Sequence, residues 1–424
     1  MGIKRLEDLP QYGLQYFGID EYERKQHVKQ FSRVRWSYTE EMKDLATDLL
    51  EEYRHTSDKG IRYFNRDKEK YVNTIMVILS NCVDSIYSTR KHISISLDRS
   101  NYKNDRYNPV GLSYRVFVNV IEWMAKENYI DLGKASAGTY SEYQSEIMPL
   151  QKLKEAVEAY EITMSHTTYH REAEPVELRR AEHLVDYQRN TKRSNHDREV
   201  LRRYTNLLND PKTKIKIGDR LVLEPVFMKS IYIDNFRKHG RIYGGAWQNC
   251  KAENRKSITI NSKETVEVDI ANCSLRMALH LSGEKAEGDL YIIKDYPRAL
   301  VKSAINIMLN IEATSYARGV ESTVKALLDD YSSYERQWIK QVVQDCYSHY
   351  SMIADDYFFL GRGLTLQNID SEICLMVIKE FTEKSKVVLT VHDSFITCRD
   401  DEQKLRSCIS LIYENIVGQK PILR

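Results

Sequence analysis

Apolar positions recur every three or four residues over Lys70–Ser80, and again over Ser113–Glu127, where Val116, Val120, Ile121 and Met124 share a face. That period predicts two amphipathic helices. After Asn128-Tyr129-Ile130 comes a glycine-containing stretch, Gly133 to Gly138, then a return strand and a helix. From 156 to 238 the period is again helical. VELRRAEHLVDY sets Leu178, Ala181, Leu184 and Val185 on one face, and the following segment sets Val200, Leu201, Tyr204, Leu207 and Leu208 on another. Asp210-Pro211 ends it, so two long helices are expected. Downstream the period falls to two. Thr265, Glu267 and Asp269 alternate with Val266, Val268 and Ile270, predicting a strand with one apolar and one carboxylate-bearing face. Val387 to Val391 is a second, largely β-branched run, followed by a polar His392-Asp393-Ser394 corner and a return strand. The chain thus divides into an N-terminal helical region (1–65), a helix-and-hairpin module (66–155), a helical region (156–238) and an α+β domain (239–424).

Composition narrows the class. The chain has 424 residues, 42% hydrophobic and 29% charged, which suits two to four packed units of an ordinary globular protein. No apolar run approaches the ~20 residues of a membrane span, and the opening MGIKRLEDLPQYG lacks a signal-peptide core. Seven cysteines show neither a CxxC pair nor zinc-like spacing, so free thiols in a cytoplasmic protein are expected, in a bacterial or phage-like setting. A net charge of +2 excludes a global polyanion signature. Between Arg189 and Arg220, however, ten basic side chains face four acidic ones, a local net of +6. That stripe, with Arg198, Arg202 and Arg203, suits a phosphate backbone and equally a solvated helix face. Tyr22–Trp36 interleaves Arg24, Lys25, Lys29, Arg33 and Arg35 with Phe31 and Trp36, and reads better as an amphipathic helix docked on its own domain than as a single-strand grip. In 66–155 the order of helix, short strand and Gly-rich hairpin is that of a winged-helix unit. Its Ser113 helix offers only Arg115 and Lys126, so a structural or protein-docking role competes with base reading.

Asp269 ends one strand and Asp393 tips a hairpin. Two-metal phosphoryl transfer needs carboxylates placed in this way, because ions about 3.5–4 Å apart must be held on a rigid sheet to stabilise attacking and leaving oxygens. DIANCSLRMALHLSG resembles motif A of the family A DNA polymerases. VHDSF resembles motif C of that superfamily, in the spelling of bacteriophage-type single-subunit RNA polymerases. Arg298 and Lys302, four apart in YPRALVKSAINIMLN, are similar to the motif B cations, and Gln367 stands where the family places a glutamine before the helix leading into motif C. The resemblance covers 239–424 in the right order.

It implies an α+β polymerase right hand, with an antiparallel palm sheet, reduced helical fingers, and the 156–238 helices as thumb. It further implies two Mg²⁺ ions, with Mn²⁺ as an alternative, on Asp269, Asp393 and the backbone carbonyl of Ile270. His392 would meet the primer end, and Arg298 and Lys302 the nucleoside triphosphate. Arg241, Arg255 and Gln367 would contact a DNA or RNA primer-template, and Arg276 would be structural. The first 200 residues show no strand-borne carboxylate set for a proofreading exonuclease.

Three departures matter. Asn306 and Asn310 replace a large side chain and a tyrosine of motif B, leaving either no aromatic stack on the incoming base or a different register for this helix. Ser274 replaces the glutamate that closes against a 2′-hydroxyl in DNA polymerases, and Ser394 replaces the glutamate of their motif C. Both lean toward ribonucleotide acceptance. The activity implied is template-directed nucleotidyl transfer. The alternative is a nucleic-acid-binding replication or transcription regulator with a non-catalytic palm, against which both aspartates and the Arg298-Lys302 pair argue.

Overall fold

The computed structural model describes residues 28–56, 67–103, 105–133, 145–181, 183–187 and 189–424. The chain forms two compact units. The first reaches to Glu174 and includes Leu223–Pro225, and the second comprises Pro175–Val222 and Val226–Arg424.

In the first unit β1 (Val28–Gln30) and β2 (Arg35–Trp36) precede α1 (Glu40–Thr56) and α2 (Lys68–Ile86). Then come β3 (His92–Ile95), α3 (Tyr114–Lys126), β4 (Ile130–Gly133), β5 (Ser145–Pro149), α4 (Gln151–Ala159) and β6 (Thr168–Tyr169). The Lys70 and Ser113 helices stand where the period places them. α2 is buried almost all round from Thr74 to Ser85, which makes it the axis of this core. The sheet order is β1-β3-β5-β4, and β2 pairs with β6. The Tyr22–Trp36 expectation needs correction. Arg24, Lys25 and their neighbours lie outside the described residues, as do Ala135 to Gly138 of the glycine stretch, but from Val28 the segment is strand and loop, not helix. Its cations are committed internally. Lys29 and Arg35 both reach Asp84, and Arg33 donates to the Asn101 carbonyl.

The second unit opens with β7 (Val176–Arg180) and β8 (His183–Leu184), then α5 (Lys192–Leu208), β9 (Ile215–Ile217), β10 (Arg220–Leu221), β11 (Lys229–Ile233) and β12 (Asn235–Tyr243). Next come the one-turn α6 (Ala252–Arg255), β13 (Ile258–Ile260), β14 (Lys263–Asp269) and α7 (Cys273–Leu281). Helices α8 (Arg298–Asn310), α9 (Tyr316–Asp330), α10 (Arg336–His349), α11 (Ser351–Tyr357) and α12 (Gly363–Thr382) follow. β15 (Val388–Val391), β16 (Ser394–Cys398) and α13 (Glu402–Val417) complete it.

Here 156–238 departs from the mainly helical expectation. VELRRAEHLVDY carries the paired strands β7 and β8, with Ala181 at φ +44° after β7, and among the described residues of this range only α5 is a long helix. The tertiary reason is visible in the register. Val176–Arg179 lie parallel to Ser230–Ile233 of β11, and Glu177, buried, receives Lys229 and Arg179. A strand partner and a satisfied buried carboxylate outweigh a helical period carried by four residues. α5 does bury Val200, Leu201, Tyr204 and Leu208, as predicted.

Two sheets organise this unit. One runs β12-β11-β7-β8 and the other β10-β9-β13-β14-β16-β15, the latter antiparallel throughout. The expected carboxylate strand is therefore central, with strands contributed from as early as Ile215. Among the described residues no helix is long and apolar enough to cross a membrane.

Candidate active site

β14 and β16 pair so that Asp269 stands opposite Ser394, one residue from Asp393 in the turn after β15. The Ile270 amide donates to the Asp393 carbonyl over 3.3 Å, and His392 takes φ +57° to make the tight corner. Leu423 and Arg424 add a bridge on the other side: Asp269 and Arg424 exchange backbone hydrogen bonds of 2.9 and 3.1 Å. Asp269 is thus fixed by backbone pairing on either side, and Asp393 by the tight turn and its carbonyl bond from Ile270.

The electrostatics follow from that fixation. Burial, then the charges of Asp393 and Glu267, push the Asp269 carboxyl up to about 6, against the pull of Arg424 and Lys302. Two neighbouring carboxylates whose charges are only partly offset by Arg424 and Lys302 form a site that attracts cations. Glu267, on the same strand face, is held differently. Burial would raise it, but Arg255 (2.8 Å) and the Ser394 hydroxyl (2.6 Å) donate to it and keep its carboxyl below the ordinary range. Among the described residues no three carboxylate, imidazole or thiol side chains gather as a closed metal cage. Asp269 and Asp393 fit hard divalent ions whose coordination is completed by carbonyl, water or phosphate oxygen.

A third carboxylate lies behind them. Asp370 on α12 is 2% exposed, its Oδ2 receives Arg241 Nε at 3.3 Å, and its Oδ1 has no partner. Burial raises its carboxyl, with Asp393 and Asp269 adding to the rise and Arg241 opposing it. A bulge aims Arg241. The β11–β12 register slips at Gly240, which has φ +87° and packs under α12 so closely that a Cβ would stand 2.7 Å from Ser371 Oγ and 2.8 Å from the Tyr232 ring. Beside it His239 meets Gln367 at 2.6 Å and Tyr243 at 3.1 Å, and Tyr243 packs edge-on to His392. His392 Nδ1 is buried without a partner, and burial and Arg241 lower its imidazole.

The structure therefore brings Asp269, Asp393, His392, Arg241 and Gln367 around one sheet end and connects Arg255 to it through Glu267. α8 starts at Arg298, and the exposed Lys302 one turn on is near enough for its charge to act on Asp269. Arg298 itself is tied to Asp289. Ser274 is half-buried in the first turn of α7, beyond the left-handed Asn272. Asn306 and Asn310 lie further along α8, and the Asn310 side chain donates to the Asn306 carbonyl. Arg276 is fully buried and donates to the carbonyls of Ala271, Ala286 and Gly288, the structural role expected of it. On α5, Arg202 is exposed, Arg203 pairs with Glu199, and Arg198 contacts Tyr187, Asn190 and Asn195. Arg193 from the same stripe is internal, bridging Asp197 and Glu372.

Sequence reasoning missed Asp370 and Asp289. Asp370 left a signal: it interrupts the otherwise apolar stripe of Leu366, Ile373, Cys374 and Val377. Asp289 left none, being a loop acid.

No protein-family model matches this sequence, and no curated protein does. Among solved structures, the POL domain of Pol1 from M. smegmatis, in complex with DNA primer-template and dNTP, is similar at 10% identity with a TM-score of 0.32. The match covers 93% of this chain and 79% of that one.

Proposed function

We propose that this chain is a template-directed nucleotidyltransferase of the family A kind, working without a proofreading exonuclease. The carrying observation is the pair Asp269 and Asp393, one closing β14 and the other in the turn that leads into its partner strand, with burial and then the Asp393 charge lifting the Asp269 carboxyl to about 6. Asp269, Asp393 and the Ile270 carbonyl would hold two Mg²⁺ ions, which when bound supply the positive charge that phosphoryl transfer needs. The chain's own residues do the rest by position. Lys302 lies where it can draw the triphosphate toward the carboxylates, and His392, packed on Tyr243, is a contact for the primer end. Arg241 and Gln367, held by Asp370 and His239, form the floor beneath a DNA or RNA primer-template. Arg202 and Arg203 on α5 offer phosphate contacts further out. Ser274 leaves room for a ribose 2′-hydroxyl.

The test is extension. Purified protein is incubated with labelled primer-template, Mg²⁺ and each dNTP or NTP, and the products are sequenced. Asp269→Asn and Asp393→Asn should each lose incorporation while remaining folded. Near-wild-type extension by either variant would remove the carboxylate pair from the chemistry.

A further inference from the structure

The loop between α7 and α8 carries an arrangement that the polymerase reading leaves unused. Asp289 gathers an unusual set of donors for a loop carboxylate. Arg298 grips it with both edges of its fork, Nε to Oδ2 at 2.6 Å and Nη2 to Oδ1 at 3.2 Å. Asn272 Nδ2 and the Tyr291 amide each reach Oδ1 at 3.1 Å, and Arg424 Nη2 stands 3.6 Å from Oδ2. Hydrogen bonding from Arg298 leads the forces that hold this carboxyl far below the usual range. The loop is not free to drift away. Arg276, fully buried, grips the Ala286 and Gly288 carbonyls just before it, and its Nη2 also reaches Asn272 Oδ1 at 3.4 Å.

Those donors are what a phosphate group would use, since an arginine fork fits carboxylate and phosphate alike. Their place matters as well. Arg298 opens α8, Lys302 lies one turn further, and the charge of Lys302 bears on Asp269. A nucleotide whose α-phosphate sits at the Asp269-Asp393 pair would run its outer phosphates along this helix end toward Arg298. There it meets a fork already occupied.

We infer that Asp289 is a resident anion in the outer-phosphate site, holding Arg298 until a ligand with enough adjacent negative charge takes its place. This rests on the proposed function for the identity of the ligand. Asp289 then sets selectivity by phosphate number. A triphosphate can reach Lys302 and compete for Arg298 together, whereas a monophosphate makes one contact and cannot displace a tethered carboxylate. The exchange takes place at an accessible position, the Arg298 side chain being 45% exposed, so the barrier it imposes is modest.

Titration calorimetry of the full chain with inorganic tripolyphosphate and with inorganic phosphate, in chelator, tests this. Removing a half-buried charge competitor from the accessible Arg298 fork should tighten tripolyphosphate binding by roughly 2–5-fold in Asp289→Asn. Asp289→Ser, which keeps an acceptor for the Tyr291 amide, should shift in the same direction. In an Arg298→Ala background, where the contested fork is gone, Asp289→Asn should change nothing. Unchanged or weaker tripolyphosphate binding in both Asp289 variants would overturn the inference and leave Asp289 as a support that orients Arg298. The outcome is separable from the polymerase reading. If wild type fails to extend any primer while the Asp289 variants still tighten tripolyphosphate, the polymerase reading falls and the anion site stands.

Discussion

Replacing Asp269 by asparagine removes a charge that the metal-free protein holds at a disadvantage. Its carboxyl rises from the ordinary 3.8 to about 6, chiefly through burial and then through Asp393. The folded state therefore binds this proton more tightly than the unfolded chain. Stability from this group is greatest below 3.8, declines as pH climbs toward 6, and stays reduced above that. A rise of this size corresponds to roughly 3 kcal/mol. Because the side chain is only partly buried, solvent screening brings that to about 1–2 kcal/mol. In chelator at pH 8, Asp269→Asn should be more stable than wild type by that amount, and the gap should close as pH falls toward 4. Urea dependence of hydrogen exchange at the β14 and β16 amides reads the stability of this sheet directly. Adding Mg²⁺ should reverse the order, since a ligand that binds only the folded wild type stabilises it by mass action. A variant no more stable than wild type at pH 8, or a gap independent of pH, would refute the claim that burial and the Asp393 charge together disfavour the ionised Asp269 in the absence of cations.

Other outcomes follow from neighbouring contacts. Lys302→Ala should raise the KM for nucleotide and leave affinity for bare primer-template almost unchanged. It should also lift the Asp269 carboxyl further, since Lys302 holds it down, shifting the acid limb of the rate profile to higher pH. Equal loss of primer-template binding would place Lys302 in the template channel instead. Ser274→Glu should shift kcat/KM toward dNTPs, because a serine excludes a 2′-hydroxyl weakly, in line with the roughly 10²-fold limit of pockets that lack a specific rejecting group. A wild type that already discriminates strongly for dNTPs would move that role to another residue. Gly240→Ala should destabilise the second unit by about 2–4 kcal/mol in urea, combining left-handed strain with a Cβ 2.7 Å from Ser371 Oγ. A loss under 0.5 kcal/mol would show that α12 yields easily there.

Period-two alternation alone was enough to mark β14 and to put Glu267 and Asp269 on one face, because strand side chains alternate whatever the partner. The β-branched run and polar corner likewise announced the β15–β16 hairpin, and the early helical periods located α2 and α3. What the sequence could not determine was which distant segments pair. VELRRAEHLVDY carries a helical period yet becomes β7 and β8, because a parallel partner at β11 and a bond from Lys229 to Glu177 exist only once the chain has folded. Charge was similarly ambiguous. In the sequence Lys29, Arg35 and Arg193 fit a helix face at least as well as a nucleic-acid contact, and in the fold they neutralise Asp84, Asp197 and Glu372. Local preference is written residue by residue, so periodicity, a stop at Asp210-Pro211 or a strand-ending aspartate is legible. The partner of a buried charge can come from a segment more than a hundred residues away, as with Arg241 and Asp370, and there only the tertiary structure decides it.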